Sequence, residues 1–344
     1  MPRRVAMITG ITGQDGSWLA RQLVDEDVEV HGLVRRTSTR GTARIEDLLA
    51  TGRVTLHSGD LSDATSLATA LSAARPDEIY NLAAQSDVHE SFAAPLATSD
   101  VTGLGAMRLL DAATRVLGPG SVRYYQASTS ELYGVAPHTP QDERTPFAPR
   151  SPYAVAKLFA HHATVLWREA YGLFACCGIL FNHESPGRGE GFVTRKVAMG
   201  AAGWARGRRE PLQLGNLDAR RDWGHARDHV RAMTLMLRHD RPDDYVIATG
   251  VSHSVRDLVT RAYGVVGVDV GWEGHGVEER GVERQTGRVV VEVSPRFFRP
   301  ADVAESVGDA SKARRVLGWA PTVPFDALVE ELVRAELARA EVAR

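Results

Sequence analysis

Short apolar runs alternate with longer amphipathic stretches through the first half of the chain. Residues 5–9, 28–34, 54–58, 78–82, 122–126 and 173–180 are rich in Val, Ile, Leu or Tyr and have the length of buried strands. Between them, 17–25, 64–74, 99–116 and 153–171 carry apolar residues at three- and four-residue spacing, as in Leu104, Met107, Leu110 and Ala113. Such alternation predicts an α/β fold, a doubly wound parallel sheet with helices on both faces. A seventh strand is predicted at 245–248. The rhythm breaks over 182–221, where Gly187, Gly189 and Gly191 crowd together, and after Gly250 it stays irregular up to a closing helix at 325–342. The pattern divides the chain into a larger core, 1–181 with about 222–250, and a smaller C-terminal lobe, about 182–221 and 251–344.

Composition narrows the class. A chain of 344 residues can bury a sizeable core. The 41 Lys and Arg against 43 Asp and Glu leave a net charge of −2. That excludes a general binder of nucleic acid or of an anionic membrane, which needs a positive excess. No apolar run approaches the ~20 residues of a spanning helix. The N-terminal segment passes from Arg3-Arg4 straight into a strand and is a poor secretion signal, so a cytoplasmic location is expected. Cys176 and Cys177 are adjacent in an apolar run and read as buried strand thiols.

The first predicted strand runs into Gly10-Ile11-Thr12-Gly13-Gln14-Asp15-Gly16 and then at once into a helix. Glycines let a backbone approach a pyrophosphate, and the helix N-terminus offers it free N–H groups. The spacing is Gly-x-x-Gly-x-x-Gly, and in its strand–turn–helix setting it predicts a Rossmann-type dinucleotide site. The second strand ends in Val34-Arg35-Arg36-Thr37-Ser38, with no acid to hold a ribose 2′-hydroxyl. Two guanidiniums suit a 2′-phosphate, which favours NADP over NAD, with a solvated basic loop as the alternative. Asp60 and Leu61 end strand three, where an adenine edge would lie. Leu82-Ala83-Ala84-Gln85-Ser86 follow strand four and are mostly small, which permits close approach of the cofactor.

Tyr153 and Lys157 lie four apart at the start of a long helix, hence on one face. An ammonium beside a phenol favours the phenolate, which can take a proton from an alcohol during a redox step. Thr129 and Glu131 follow strand five, at the sheet edge where open α/β folds bind ligands. Thr129 can hydrogen-bond a sugar hydroxyl, and Glu131 is a carboxylate able to act on a C–H bond or a leaving hydroxyl.

At these residues the chain resembles the extended short-chain dehydrogenase/reductases of nucleotide sugars, and among them the GDP-mannose 4,6-dehydratases. The strings that carry the resemblance run almost end to end. They include 8–17, 79–82, Tyr125-Gln126-Ala127-Ser128-Thr129-Ser130-Glu131-Leu132-Tyr133-Gly134, Asn182-His183-Glu184-Ser185-Pro186, 192–196 and 214–226. The resemblance implies oxidation at C4 with NADP⁺, loss of water across C5–C6 and return of hydride to C6. It implies that Thr129, Glu131, Tyr153 and Lys157 are catalytic and that Arg35, His183 and Arg188 touch the cofactor. Ser86, Thr129, Asn182, Val193, Lys196, Leu214, Gly215, Arg221 and Arg299 are expected at the GDP-sugar. Of these, Lys196, Arg221 and Arg299 are the best cations for its diphosphate. The loop from Arg35 to Arg44 resembles a segment that reaches a neighbouring subunit, which implies a homotetramer or dimer.

Three positions depart from the family pattern: Asp87 for a histidine, Gly187 for an arginine, and Ala301-Asp302 for Thr-Glu. Ser130 stands where related dTDP-glucose dehydratases have an aspartate, so Glu131 is expected both to take the C5 proton and to protonate the leaving oxygen. The alternatives are a dehydratase of a related GDP-sugar such as a heptose, an epimerase, which would not need Glu131, and a non-catalytic NADP sensor. No metal site is expected. His225 and His229 have helical spacing but no third ligand and read as surface or supporting residues. His161-His162 reads as solvated or at an interface, and the stretch 334–341 as an exposed helix with ordinary charge pairs.

Overall fold

The computed structural model describes residues 3–35, 41–297 and 303–342. Seven strands form one sheet: β1 (Val5–Thr9), β2 (Glu29–Val34), β3 (Val54–Ser58), β4 (Glu78–Asn81), β5 (Arg123–Thr129), β6 (Phe174–Leu180) and the strand Asp244–Ile247. Every neighbouring pair is parallel, in the spatial order Asp244–Ile247, β6, β5, β4, β1, β2, β3. The order reverses between β1 and β4, and at such a switch point the flanking loops splay apart and leave a crevice.

Alternate residues feed two cores. Ile8, Tyr80 and Tyr125 face one side with Leu19 and Leu23 of helix Gln14–Asp25 and Met233 and Leu237 of helix Ala226–Arg238. Their neighbours Met7, Ile79 and Tyr124 face the other side. There they meet Leu67 and Leu71 of helix Ala64–Ala74, Leu109 and Leu110 of helix Gly105–Leu117, and Trp167 of helix Pro152–Tyr171. Both faces are covered, so the strands read as continuous apolar runs without polar alternation. The doubly wound α/β expectation holds.

The predicted helix 99–116 differs in detail. It opens as a π-helical turn, Ser99–Leu104, and becomes α-helical only over Gly105–Leu117. Glycines in the wide turn and at the first position of the α-helix sit against neighbours. A Cβ on Gly103 would lie 3.3 Å from the Ala156 carbonyl oxygen, and one on Gly105 would lie 2.8 Å from Leu61 Cβ.

A further core lies outside the main sheet. Val197, Ala201 and Trp204 of helix Val193–Ala205 pack with Leu258 and Tyr263 of helix Val255–Val265, Val290 and Val291 of strand Arg288–Val293, and Leu332 and Val333 of helix Phe325–Val342. Two small sheets flank it, one centred on Arg220–His225 and one running from Val270–Glu273 to Leu212–Leu214. The chain returns to the first core at Ala310, Ala313 and Trp319. This differs from assigning all of 251–344 to the smaller lobe. The indole Nε1 of Trp319 donates to the Asp228 carbonyl at 2.8 Å, which fixes that return.

Other expectations are corrected. His225 and His229 are not at the surface; each is about 1% exposed. His225 caps helix Ala226–Arg238 by accepting from Arg227 N at 2.9 Å. His161 is buried, while His162 is exposed. The last helix is not simply exposed, since its apolar face lies in the further core and Glu336 pairs with Arg195 at 3.0 Å. Cys176 and Cys177 are buried free thiols on β6. Among the described residues, no helix is long and apolar enough to cross a membrane.

Candidate active site

A cavity of about 610 Å³ opens at the C-terminal ends of the strands on either side of the switch point. Its floor is the glycine turn. Gly10 has φ +72°, and a Cβ there would lie 2.9 Å from the Ala83 backbone nitrogen. A Cβ on Gly16 would meet the Gly10 carbonyl oxygen at 2.2 Å. Gly13 donates to the Gly10 carbonyl at 2.9 Å and starts helix Gln14–Asp25. The N–H groups of the first helical turn, from Gln14 to Gly16, have no acceptor within the helix. Thr9 Oγ1 braces the opposite wall, accepting from the Leu82 and Ala83 N–H groups at 3.1 Å and donating to Asn81.

An anion site carrying Asp15 in its first turn needs that charge cancelled. His183 Nε2 donates to Asp15 Oδ2 at 2.8 Å, and Nδ1 donates to the Phe181 carbonyl at 2.7 Å, so the ring is an imidazolium. Burial alone would push the Asp15 carboxyl up, but His183, Gln14 and Arg188 overcome it and hold the group well below the ordinary range. Burial likewise works against His183, and Asp15 raises it above 6.5. The sign of the linkage follows. The depressed Asp15 contributes stability above 3.8 that is lost on acidification through its folded value. The raised His183 contributes stability below 6.5 that is lost as pH rises through its folded value. The pair is therefore worth most between those two values. In Asp15→Asn, burial of His183 is no longer opposed by a carboxylate. We expect NMR titration to move that imidazole from above 6.5 to below it. A His183 that still titrated above 6.5 would remove Asp15 as the cause.

The catalytic candidates converge on the same cavity. Ser151 caps helix Pro152–Tyr171, which sets Tyr153 and Lys157 on the face toward β5. Lys157 is 4% exposed, and its Nζ donates to the Ala127 carbonyl at 2.8 Å. Burial brings the ammonium down to about 8, with Asp15 opposing. Thr129 Oγ1 accepts from Glu131 N at 3.2 Å, and Thr129 works to lower the Tyr153 phenol. The turn bearing Glu131 is held by Leu132, whose carbonyl accepts from Ala148 N at 2.8 Å. It is also held by Gly134, where a Cβ would lie 1.9 Å from the Ala148 oxygen. One expectation changes here. Burial and the nearby Glu131 carboxylate push the Tyr153 phenol up, with Thr129 opposing. Lys157 Nζ lies 5.9 Å from the ring centre and makes its hydrogen bond to the Ala127 carbonyl.

All but one of the predicted cofactor residues line this cavity: Gly10, Thr12, Gly13, Gln14, Asp15, Gly16, Arg35, Asp60, Leu61, Leu82 through Ser86, Tyr153, Lys157, His183 and Arg188. Arg36 lies outside the described residues. Thr129, Glu131 and Asn182 line it too. Arg221 does not, but it shares a small recess with Ser130 and Glu131, and it donates to the Val303 carbonyl at 2.7 Å. Val193, Lys196, Leu214 and Gly215 lie outside the cavity. Lys196 Nζ sits 4.3 Å above the Phe297 ring, and Gly215 packs against the Phe297 backbone. Arg299 and Ala301-Asp302 lie outside the described residues.

Two departures acquire reasons. Asp87 caps helix Val88–Ala93, accepting from His89 and Glu90 N–H groups at 2.8 and 3.1 Å. At Gly187 the space beside the backbone holds Arg44, whose Nε donates to the Gly187 carbonyl at 2.8 Å and Nη1 to the Thr12 carbonyl at 3.2 Å. Sequence reasoning marked the loop around Arg44 but missed this tie to the glycine turn.

The fit to a dinucleotide is steric and electrostatic: a turn with no room for a side chain at Gly10 or Gly16, a helix N-terminus with its acid neutralised, and a cation at the end of β2. The comparisons agree. A profile of the family described as GDP-mannose 4,6 dehydratase matches residues 7–332. The chain is 52% identical to the GDP-mannose 4,6-dehydratase of Sinorhizobium fredii over 97% of each chain. It is also 52% identical to the GDP-mannose 4,6 dehydratase of Homo sapiens, over 98% of this chain and 92% of the relative. Among solved structures, a dTDP-glucose 4,6-dehydratase from Streptomyces venezuelae with NAD and TYD bound superimposes with a TM-score of 0.83 at 26% identity, covering 98% of both. A Thermus thermophilus UDP-glucose 4-epimerase shares the fold, with a TM-score of 0.80 at 24% identity over 96% of this chain and 98% of that one. The solved neighbours support a nicotinamide cofactor, and the chain belongs to the GDP-mannose 4,6-dehydratase family.

Proposed function

We propose that the protein is an NADP-dependent dehydratase that converts GDP-mannose to GDP-4-keto-6-deoxy-mannose. The observation that carries this reading is that Glu131 lines one cavity with Thr129, Tyr153, Lys157 and the glycine turn. Oxidation at C4 alone would need no carboxylate, whereas elimination across C5–C6 needs a base at C5. When bound, the nicotinamide takes hydride from C4 and returns it at C6.

The chain's own residues supply the rest. Tyr153 first gives its own proton to solvent; as the phenolate, beside Thr129, it takes the C4 hydroxyl proton, and the buried Lys157 ammonium stabilises the phenolate charge. The ketone makes the C5 hydrogen acidic. Glu131 removes it and passes a proton to the C6 oxygen, which leaves as water; Glu131 then takes a fresh proton from solvent and gives it to C5 as hydride arrives at C6. Lys196, Arg221 and Arg299 are proposed cations for the diphosphate, with Ser86, Asn182, Val193, Leu214 and Gly215 beside the nucleotide sugar. The two cores support a division into a cofactor lobe, 1–181 with about 222–250, and a sugar lobe built from the remainder, with 310–319 packed on the former. A homotetramer or dimer is proposed, and the exposed Val155, Phe159 and Leu166 on helix Pro152–Tyr171 offer an apolar face for it. The direct test is incubation with a panel of nucleotide sugars and mass analysis. GDP-mannose should yield a product one water lighter, and a product of unchanged mass would instead indicate an epimerase.

The choice of NADP rests on Arg35, which borders the cavity beside Asp60. Arg35→Ala should weaken NADP by about 1.5–3 kcal/mol, the worth of a hydrogen bond to a charged group, and leave NAD nearly unchanged. Calorimetric titration of both dinucleotides checks this. An equal loss for the two would remove the 2′-phosphate as its partner.

A further inference from the structure

Three residues of helix Pro152–Tyr171, spaced by four, face the end of β5. Tyr153 lines the cavity together with Thr129, Lys157 bonds the Ala127 carbonyl, and His161 Nδ1 lies 3.0 Å from Ser128 Oγ. The first two belong to the machinery already described. The third ties the strand residue between Ala127 and Thr129, and Ser128 itself borders the cavity.

The surroundings of His161 decide which way this bond runs. Burial pushes the ring down to about 4, with Asp244 opposing and His162 and Arg168 adding, so it is neutral and carries one N–H. Its Nε2 faces Asp244 Oδ2 at 4.0 Å. Asp244 is a carboxylate: burial would raise it, but Arg168 grips both oxygens at 2.9 Å and Cys177 N donates at 3.1 Å. A lone pair on Nε2 would point at that negative charge, and an N–H there is attracted to it. The proton therefore sits on Nε2, Nδ1 is the acceptor, and the Ser128 hydroxyl donates. With its proton committed to His161, Ser128 Oγ has only lone pairs left for the cavity. Phe147 meets the ring edge-on, with centroids 5.2 Å apart, which leaves His161 little freedom to turn.

We infer that His161 is a positioning residue of the dehydratase: oriented by Asp244, it takes the Ser128 proton, fixes the strand end that carries Thr129 and Glu131, and leaves Ser128 as an acceptor toward the bound ligand. The inference rests on the proposed reaction for its kinetic consequences, but its geometry can be tested without substrate.

Nitrogen NMR of histidine-labelled protein gives that test. The signal lost in His161→Asn should be that of a neutral ring protonated at Nε2. A ring protonated at Nδ1, or a charged one, would overturn the inference whatever the substrate proves to be. Kinetics give the second test. His161→Phe keeps a ring against Phe147 but has no acceptor, so kcat should fall about tenfold with KM for GDP-mannose nearly unchanged. His161→Asn can still accept from Ser128 and should recover most of the rate. Ser128→Ala should match His161→Phe, and the double variant should lose no more than either alone, the sign of one shared interaction. A His161→Phe enzyme with unaltered kcat, or losses that simply add, would return His161 to a packing role. If the unmodified protein fails to dehydrate GDP-mannose, the proposed reaction falls, while the NMR result still decides the orientation.

Discussion

Glu131→Gln is expected to oxidise GDP-mannose and stop there. Glutamine keeps the side-chain volume and leaves the Glu131 N–H on Thr129, so the turn Ser130–Leu132 should persist. Tyr153, Lys157 and Thr129 are untouched, so C4 oxidation remains available. What disappears is the group that accepts the C5 proton. Loss of a positioned general base costs about 10²–10⁴ in rate, and the elimination should fall by that amount. The quenched reaction should hold a 4-keto sugar two hydrogens lighter than substrate, in amount equal to enzyme. Ser130, adjacent to Glu131, cannot substitute, because a hydroxyl is a poor base at neutral pH. Normal formation of a product one water lighter would show that the C5 base lies elsewhere.

Tyr153→Phe should fail one step earlier. The phenol is buried, and Phe fills the same space against the helix, while Lys157 keeps its bond to the Ala127 carbonyl. No group then takes the C4 proton, and oxidation itself should slow by about 10²–10⁴. The two variants are thus told apart by the trapped species: a keto sugar for Glu131→Gln and unreacted GDP-mannose for Tyr153→Phe. Rapid-quench mass analysis distinguishes them. If Tyr153→Phe accumulated the keto sugar at the normal rate, the phenol would not be the C4 base.

Much of this site is legible in the chain because its determinants are local. Gly10, Gly13 and Gly16 lie within one turn, Tyr153 and Lys157 within one helical turn, and Thr129 and Glu131 directly after a strand. Buried parallel strands also announce themselves as apolar runs, so the seven-stranded sheet follows from pattern alone. The short strands Asn182–Glu184, Leu212–Leu214 and Ser252–Ser254 do not, since three residues carry no measurable period. Nor does charge pairing across the fold. Asp15 and His183 are 168 positions apart, and nothing near either one foretells that the acid is neutralised. Arg44 reaching Gly187 is equally remote in sequence. His161 and His229 look like surface histidines by composition. Their burial follows from the Ser128 and His183 partners, which only the tertiary arrangement supplies. The expected lowering of the Tyr153 phenol fails for a related reason: helical spacing puts Lys157 on the correct face, but its hydrogen bond goes to the Ala127 carbonyl, while burial and Glu131 push the phenol up.

The most direct test of the dehydratase reading is turnover of GDP-mannose in heavy water, with the product examined by mass and proton NMR. In the proposed reaction Glu131 passes the C5 proton to the departing water and takes its next proton from solvent, so the product should be dehydrated and carry deuterium at C5. A dehydrated product with only hydrogen at C5, or an isomer that has lost no water, would contradict the account.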